Sequence, residues 1–337
     1  MSLSKKLYIL IFIITLEILT ILYIFLLLLG PNYFRYINFY TRNEISELVS
    51  SEFEKISKQI HFLVSRESNS INDSYLKYYE LITYPDNYGN LISTRATINK
   101  DNFRGRNYSL EKPNNTIRII SIGDSHTFGY ALNDNETFSY QLEYLLNNNT
   151  KEKRFEVLNM GYPGYNMIQK LEILRSKAIK YFPDIIILQY DGDDIIPNAI
   201  MKWRWEIIER IVSKYKISNY ENLSYIHDTL IGSVFDRFLA NNRDFLMEKM
   251  IVEPTLDFIS LSKKYNFKLI IISIWPRLYD EKFLINVSSF ENITYLNVHR
   301  DIFNFKNYEI SRYERHFNSH GHRLIAERLY DIIVSLI

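Results

Sequence analysis

The sequence has 337 residues, which is enough for one large folded domain with additional segments. It contains no cysteine, so disulfide bonds, thiolate zinc sites and a cysteine nucleophile are excluded. The formal net charge is +1, so no global electrostatic field directs the protein toward nucleic acid or acidic partners.

The first hydrophobic segment runs from Leu7 to Leu29, and eighteen of its twenty-three residues are Leu, Ile or Phe. A run of this length can cross the hydrocarbon core of a bilayer as a helix. Glu17 lies near its centre and costs about 2.5–3.5 kcal/mol, whereas each large apolar residue contributes about 0.3–0.6 kcal/mol. Eighteen apolar residues outweigh one glutamate, so insertion is expected to be favourable.

The residues that flank this segment favour an anchor over a cleaved signal peptide. Gly30-Pro31 ends the helix, and no cleavage site built from small residues follows. We therefore predict a single-pass transmembrane anchor over residues 1–31. Lys5 and Lys6 precede the segment and weakly favour a cytoplasmic amino terminus, which would place the remaining domain outside the cytoplasm.

Residues 32–114 are predicted to form a stalk helix and a loop-rich lead. Apolar side chains recur at helical spacing within residues 41–66, which is typical of an amphipathic helix. Residues 68–116 are rich in Asn, Ser, Asp and Tyr and show no sustained period. Within them, Arg104-Gly105-Arg106 is interpreted either as a contact for an anionic substrate or, preferably, as a solvated turn.

The next segment is a β-branched apolar run, Ile117 to Ile122, which stops at Gly123 and is followed by Asp124-Ser125-His126. Such a run predicts a buried parallel strand. Ligands bind at the carboxyl ends of strands in doubly wound sheets, so Ser125 is a candidate nucleophile. The alternative is a turn serine that caps the following helix.

Strands and helices then alternate to the end of the sequence, which predicts an α/β domain over residues 115–337 with a parallel sheet between two helical layers. The predicted fold is a three-layer α/β/α sandwich of the flavodoxin-like type. Further strands are predicted at 155–159, 184–190, 267–274 and 292–298, and helices at 136–146, 167–179, 254–265 and 324–337. Asp134 or Asn135 is the predicted cap of the first of these helices.

Residues 199–250 interrupt this alternation and are predicted to form a helical insertion over the site. Trp203 and Trp205 lie beside Lys202 and Arg204, a mixture that can bind nucleic acid. Acidic neighbours and the near-zero net charge favour ordinary packing, so no nucleic-acid partner is predicted.

Four short motifs in chain order resemble those of the SGNH (GDSL-type) hydrolases, and the likeness covers residues 115–337. The motifs are Gly123-Asp124-Ser125, Asn159-Met160-Gly161, Asp191-Gly192-Asp193-Asp194 and Glu314-Arg315-His316. The resemblance implies a serine nucleophile at Ser125, a histidine base at His316 and an acidic third member at Glu314, where the family usually has aspartate. It also implies an oxyanion hole formed by the amides of Ser125 and Gly161 and by Asp193, where the family usually has asparagine.

Asp193 is the main departure from this pattern, because an ionised carboxylate accepts hydrogen bonds and cannot donate one. Three explanations stay open: Asp193 is protonated, another group replaces it as the donor, or the activity is weak. Asp124 is the competitor for the third member of the triad.

Two metal sites are weighed as alternatives. Asp191, Asp193 and Asp194 offer oxygen ligands for a hard cation, and His316, His320 and His322 offer nitrogen ligands for zinc. No fourth zinc ligand is evident, and helix capping and packing are preferred for His320 and His322. No metal and no cofactor is predicted.

The resulting hypothesis is a membrane-anchored serine esterase that removes O-acyl groups, O-acetyl among them, from a carbohydrate or lipid. Its partners are a small-molecule or glycan ester and the membrane. One alternative is an O-acyltransferase that modifies a cell-surface glycan through the same acyl-serine. The other is a glycan-binding surface protein with a decayed site.

Overall fold

The computed structural model describes residues 47, 51, 81–85, 91–215, 232–276, 278–302, 308–310 and 316–337. The predicted anchor over residues 1–31 lies outside these residues, as does all of the predicted stalk helix except Glu47 and Ser51. A helix with the length and hydropathy needed to span a bilayer is not found within the described residues.

The chain divides into two compact units. The larger unit comprises residues 60–202 and 242–337, and it contains every described residue of the predicted site. The other unit comprises residues 1–59 and 203–241. Its described part is helical over 203–215 and 232–241, and the rings of Phe235 and Phe238 stack there with centroids 6.4 Å apart.

The strands divide between a hairpin and a parallel sheet. They are β1 (Leu81–Pro85), β2 (Leu91–Arg95), β3 (Thr116–Gly123), β4 (Arg154–Gly161), β5 (Ile185–Tyr190), β6 (Lys268–Ser273) and β7 (Ile293–Asn297). Among the described residues, the last five form a parallel sheet in the order β4-β3-β5-β6-β7. Counted within this sheet, the order is 2-1-3-4-5, which is the flavodoxin-like arrangement. The predicted fold class is therefore confirmed for the domain.

The prediction of a loop-rich lead over residues 68–116 was wrong in part. β1 and β2 pair antiparallel, with Leu81 opposite Arg95 and Pro85 opposite Leu91. Each strand has only five residues and mixes Thr, Tyr, Ser or Arg with Leu and Ile, so neither shows a clear period. The turn-forming residues Pro85-Asp86 and Gly89-Asn90 between them were the available signal for a hairpin.

Helices cover both faces of the parallel sheet. Those the structure describes are α1 (Ser125–Phe128), α2 (Phe138–Asn149), α3 (Met167–Ser176), α4 (Asn198–Tyr215), α5 (Gly232–Leu246), α6 (Glu253–Tyr265), α7 (Leu278–Val287), α8 (Val298–Ile302) and α9 (Ser319–Leu336). α2 packs against α9, and α3 packs against α6. Alternate residues of each strand, such as Ile119, Ile187 and Ile270, join the core formed with α2 and α9, because successive strand side chains point to opposite faces.

Several helix ends in the structure differ from the predicted ones. α2 begins at Phe138 with Thr137 as its cap, because residues Asp134–Glu136 form a separate 3₁₀ turn. The Thr137 side chain accepts a hydrogen bond from the N–H of Tyr140, so neither Asp134 nor Asn135 caps this helix. α9 begins at Ser319, five residues before the predicted start, because the Asn318 side chain caps its first turn. His320 and His322 consequently lie inside the helix.

Candidate active site

Ser125 lies at the carboxyl end of β3, where the sheet presents its strand ends to a ligand. The strand stops at Gly123, and Asp124 caps the short helix α1 by accepting a hydrogen bond from the His126 N–H at 2.8 Å. Ser125 is the first residue of that helix, so the capping alternative applies to Asp124 and not to the serine. The hydroxyl of Ser125 is thereby left available for chemistry.

Ser125 and His316 come together although 191 positions separate them. The Ser125 hydroxyl oxygen lies 2.7 Å from Nε2 of His316, which is within the range for proton transfer between a nucleophile and a base. The structure therefore brings the predicted nucleophile and the predicted base into direct contact.

The backbone around His316 is held on both sides. The N–H of Ile310 donates to the His316 carbonyl oxygen at 2.9 Å, and Glu309 forms an antiparallel bridge with Phe317. Immediately afterwards, Oδ1 of Asn318 accepts a hydrogen bond from the Gly321 N–H at 3.0 Å and starts α9. The base is thus placed by a helix cap at the start of a long helix.

Aromatic rings restrict the orientation of the His316 imidazole. The ring of His126 lies 4.7 Å from it and the ring of Tyr130 lies 4.9 Å from it, measured between centroids. His126 also packs against Phe317 at 5.2 Å. Because the nucleophile helix supplies His126, the same short segment carries the serine and packs against the base.

Glu314, the predicted third member, lies outside the described residues. Its role in orienting His316 remains a prediction. Asp124, the competitor, caps α1 and contacts Lys170 and Gln189, so its described contacts hold the nucleophile loop.

The second motif has a structural role that the sequence did not indicate. Gly161 lies beside α1, and a Cβ added at this position would be 2.3 Å from the Phe128 nitrogen. Nδ2 of Asn159 donates to the Thr127 carbonyl oxygen at 2.7 Å. Together the two residues join β4 to the nucleophile helix, and only glycine permits this approach.

The Gly161 amide, a predicted oxyanion-hole donor, has an acceptor in this structure. It donates to Oδ1 of Asn159 at 3.0 Å, and both residues are buried. The turn that follows, Tyr162–Tyr165, is closed by a hydrogen bond from the Tyr165 N–H to the Tyr162 carbonyl oxygen at 3.1 Å. Gly164 occupies its third position with φ of 79° and is exposed, as the Pro163-Gly164 pair of a type II turn requires.

Asp193 lies in the 3₁₀ turn Gly192–Ile195 directly after β5, which neighbours β3. The residue is exposed, and its N–H donates to Oδ1 of Asp191 at 2.9 Å. It therefore belongs to the same sheet edge as Ser125. Its participation in an oxyanion hole remains a prediction.

A buried ionic network lies beneath the nucleophile loop, and its central residue, Lys170, was missed. Nζ of Lys170 lies 2.7 Å from both carboxylate oxygens of Asp194 and 3.3 Å from Oδ2 of Asp124, and it donates to the Gln189 carbonyl oxygen at 3.0 Å. Gln189 extends the network, since its Oε1 accepts from the Asp124 N–H at 2.8 Å and its Nε2 donates to Oδ2 of Asp124 at 2.8 Å. A lysine within the apolar stripe of α3, between Met167 and Leu174, was the available signal.

Burial and neighbouring charges set the ionisation of this network. Burial alone would lower the pKa of Lys170, but the Asp194 and Asp124 carboxylates outweigh it and raise that pKa. Burial opposes ionisation of Asp124, yet Lys170 and His126 hold its pKa below the ordinary value. Burial and the charge of Asp124 raise the pKa of Asp191 well above its usual range. Burial raises the pKa of Asp194 to about 7 even though Lys170 opposes this shift.

The metal alternatives find no support in the part of the chain that the structure describes, where no cluster of three or more His, Asp or Glu residues has a metal-binding arrangement. Both oxygens of Asp194 contact Lys170, a cation that already satisfies them. The three histidines also have different surroundings. His316 contacts Ser125, His320 is exposed and stacks on Tyr308, and His322 is buried.

His322 joins the two helices on one face of the sheet. Its Nδ1 accepts a hydrogen bond from the Phe138 N–H at 3.0 Å, and its ring stacks on that of Phe138 with centroids 5.8 Å apart. Burial, reinforced by the charges of His126 and Arg104, lowers the pKa of His322 well below its ordinary value. The neutral imidazole thus satisfies a first-turn N–H of α2, so the predicted capping and packing role is correct for this residue.

Arg104 is buried, so the preferred interpretation of Arg104-Gly105-Arg106 as a solvated turn was wrong for this residue. Its side chain is buried, and its guanidinium donates to the carbonyl oxygens of Phe128, at 2.8 Å, and Gly129. It also pairs with Asp134 at 3.0 Å. Arg104 therefore stabilises the carboxyl end of the nucleophile helix, where unsatisfied carbonyl groups favour a cation.

Comparison with solved structures returns several esterases at low identity. The acetyl xylan esterase AlAXEase is similar at 13% identity and a TM-score of 0.41, over 64% of this chain and 100% of that one. The esterase EstA from Pseudoalteromonas sp. has 13% identity and a TM-score of 0.42, over 66% and 98%. A family 3 carbohydrate esterase from Clostridium thermocellum has 16% identity and a TM-score of 0.37, over 66% and 98%.

No protein-family model matches the sequence, and no curated protein matches it. At the identities and TM-scores of the solved structures, the activity has to be argued from the residues of the site itself.

Proposed function

We propose that the chain is a serine esterase that removes O-acyl groups from a carbohydrate or lipid through an acyl-serine intermediate. The observation that carries the proposal is the 2.7 Å separation between the Ser125 hydroxyl oxygen and Nε2 of His316. A serine hydroxyl is a weak nucleophile until a positioned base accepts its proton. The contact supports an intact site over a decayed glycan-binding one.

The proposed reaction has two steps, formation of the acyl-serine and its hydrolysis. His316 accepts the hydroxyl proton as the Ser125 oxygen attacks the acyl carbonyl carbon, and the same proton then passes to the departing alcohol oxygen as the ester bond breaks. Water attacks the acyl-serine in the second step, with His316 again accepting and returning a proton. The products are a free carboxylic acid and the regenerated serine.

The tetrahedral intermediate needs hydrogen-bond donors for its negative oxygen. The Ser125 amide is the first candidate, because the first N–H groups of a helix have no acceptor within that helix. The Gly161 amide can serve only if it leaves Oδ1 of Asn159. Asp193 can serve only as the protonated acid, since the carboxylate would repel the developing charge.

Labelling with a fluorophosphonate tests the proposal directly. The probe phosphonylates a serine that a neighbouring base activates, so the full-length protein should be labelled and its Ser125→Ala variant should not. His316→Ala should lose labelling while keeping the hydroxyl. His320→Ala is the matched control, because this exposed histidine lies on the same segment without contacting Ser125 in the described contacts.

Equal labelling of the parent protein and of Ser125→Ala would reject the nucleophile. Equal labelling of the parent protein and of His316→Ala would reject the base.

We also propose that residues 1–31 tether this enzyme to a membrane with its catalytic domain outside the cytoplasm. The support is the length and composition of the Leu7–Leu29 segment and the two lysines before it. Protease added to intact cells should then degrade the catalytic domain, whereas protection of the domain would contradict the orientation.

A further inference from the structure

A groove of about 550 Å³ lies between α2 and α9, on the face where His322 joins these helices. Its lining combines aromatic, amide and charged side chains. The lining includes Glu136, Tyr140, Gln141, Tyr144, His320 and Arg323. None of them belongs to the proposed catalytic machinery.

Two tyrosines dominate the α2 side of the groove. Tyr140 is 52% exposed and Tyr144 is 62% exposed, although both carry large apolar rings. Their spacing of four residues places them on one face of the helix, one turn apart. An exposed tyrosine offers a flat apolar ring and a hydroxyl group at little cost in conformational entropy, which explains the frequent use of this residue in binding surfaces.

Polar groups surround the rings and are partly held in place. Nε2 of Gln141 donates to the Glu136 carbonyl oxygen at 2.8 Å, and Nε of Arg323 pairs with Glu327 at 2.9 Å. The exposed imidazole of His320 stacks on Tyr308 with ring centroids 5.2 Å apart. Hydrogen-bond donors and acceptors therefore border two apolar faces within a single groove.

This combination matches the chemistry of a sugar ring. A pyranose has an apolar face of C–H groups that packs on an aromatic ring, and its hydroxyl groups both donate and accept hydrogen bonds at the rim. Resting on the proposed esterase function, we propose that the groove binds saccharide units of the glycan that carries the acyl group. The enzyme would then hold its substrate at the scissile ester and at a second point on the same chain.

The position of the groove relative to the catalytic base supports a shared substrate. His320 follows His316 by four positions, and α9, which supplies His320 and Arg323, begins three residues after the base. On the other wall, α2 is the first long helix after the nucleophile. The hydrogen bond between Nδ1 of His322 and the Phe138 N–H ties the two walls together.

Affinity electrophoresis tests the groove without requiring turnover. The full-length protein with Ser125→Ala is run in native gels that contain xylan, glucomannan or pectin, and its retardation gives an apparent Kd for each polymer. We expect retardation in at least one gel, and adding Tyr144→Ala should weaken binding in that gel about fivefold, since one ring contact is lost. Tyr265→Ala is the matched control, because Tyr265 is 43% exposed on α6, away from the groove.

The proposal is overturned if the Ser125→Ala protein is not retarded in any gel, or if adding Tyr144→Ala and adding Tyr265→Ala change its retardation equally. It is also overturned if Tyr144→Ala changes the sedimentation of the free protein, because the tyrosines would then join copies of the chain. Hydrolysis of p-nitrophenyl acetate by the proteins that retain Ser125 is measured in parallel and should not respond to Tyr144→Ala. If the protein that retains Ser125 does not hydrolyse the ester while the Ser125→Ala protein is retarded as expected, the proposed function is rejected and the groove assignment stands.

Discussion

Lys170 and Asp194 form a buried ion pair in which the ammonium nitrogen lies 2.7 Å from both carboxylate oxygens. The same nitrogen reaches Oδ2 of Asp124, the residue that caps the nucleophile helix. The geometry of Ser125 consequently depends on a lysine that does not contact it in the described structure. Removing that lysine would leave at least one carboxylate buried without its cation.

Lys170→Met is therefore expected to destabilise the protein strongly. Methionine keeps most of the length of the side chain but removes the charge, and losing one partner of a buried pair costs about 3–5 kcal/mol. Urea denaturation followed by tryptophan fluorescence measures the change in the free energy of unfolding. Lys180→Met, at an exposed position just beyond α3, should change it by less than about 0.5 kcal/mol. Similar values for the two variants would argue against the network.

Gly161→Ala should reduce both stability and ester hydrolysis. The added methyl group would meet the Phe128 nitrogen at 2.3 Å, and backbone cannot move aside as a flexible side chain can. The nucleophile helix must shift, and displacement of a reacting group by about 1 Å can cost roughly 100-fold in rate. The rate with p-nitrophenyl acetate is the measurement.

Gly105→Ala is the control for Gly161→Ala. Gly105 has φ of 101° and open space around the added Cβ, so its substitution costs only backbone strain, on the order of 1 kcal/mol. It should leave the rate per folded molecule unchanged. An unchanged rate for Gly161→Ala would show that β4 and α1 can separate without a loss of ester hydrolysis.

His322→Asn is expected to make the protein less sensitive to acid. Because burial keeps the folded-state pKa of His322 low, the unfolded chain takes up a proton below about pH 6.5 that the folded chain does not. The free energy of unfolding then falls with decreasing pH by up to about 1.4 kcal/mol per unit from this residue. Asparagine does not titrate, and its side-chain oxygen can still accept from the Phe138 N–H.

Urea midpoints at pH 7.5 and pH 5.5 measure this difference. The parent protein should lose more stability between the two values than His322→Asn does. His320→Asn, at an exposed position two residues away, should behave like the parent protein. Identical pH dependence in all three proteins would mean that His322 becomes protonated within the fold.

Asp193→Asn should accelerate ester hydrolysis if the carboxylate occupies an oxyanion-hole position. The amide has the same shape but donates a hydrogen bond, and one such donor is worth about 100-fold in rate or more. The exposed position and the backbone bond from Asp193 to Asp191 leave folding unaffected. Asp257→Asn, at a half-exposed carboxylate paired with Arg175, is the control. An unchanged or slower kcat/KM for Asp193→Asn would place the third donor elsewhere.

The central sheet could be predicted from sequence because its strands are continuous apolar runs that end at glycine or acidic residues. β3 and β5 deviate from their predicted ends by one residue. The meeting of Ser125 and His316 was also predictable, since motif order and the strand–helix alternation placed both at one sheet edge. The apolar runs and the short motifs are local in sequence, so they can be recognised without the structure.

Other parts of the site depend on contacts between distant segments and were missed for that reason. Arg104 lies in a polar stretch that resembles a surface loop, yet it folds onto the carboxyl end of α1. Lys170 stands out only as a cation within an apolar stripe, and its three carboxylate and carbonyl partners come from β5 and the loops at the strand ends. The hydrogen bond from the Gly161 amide to Oδ1 of Asn159 was also not predicted, because local sequence does not reveal it.

The separation of Ser125 from His316 also bears on how the protein is made. Synthesis runs from the amino end, so the serine leaves the ribosome long before the histidine 191 positions later. During that interval β3, β4 and β5 can already pair, but the hydroxyl has no imidazole to receive its proton. Under the proposed mechanism, a nascent chain is therefore inert toward esters until His316 has left the ribosome and packed beside Ser125.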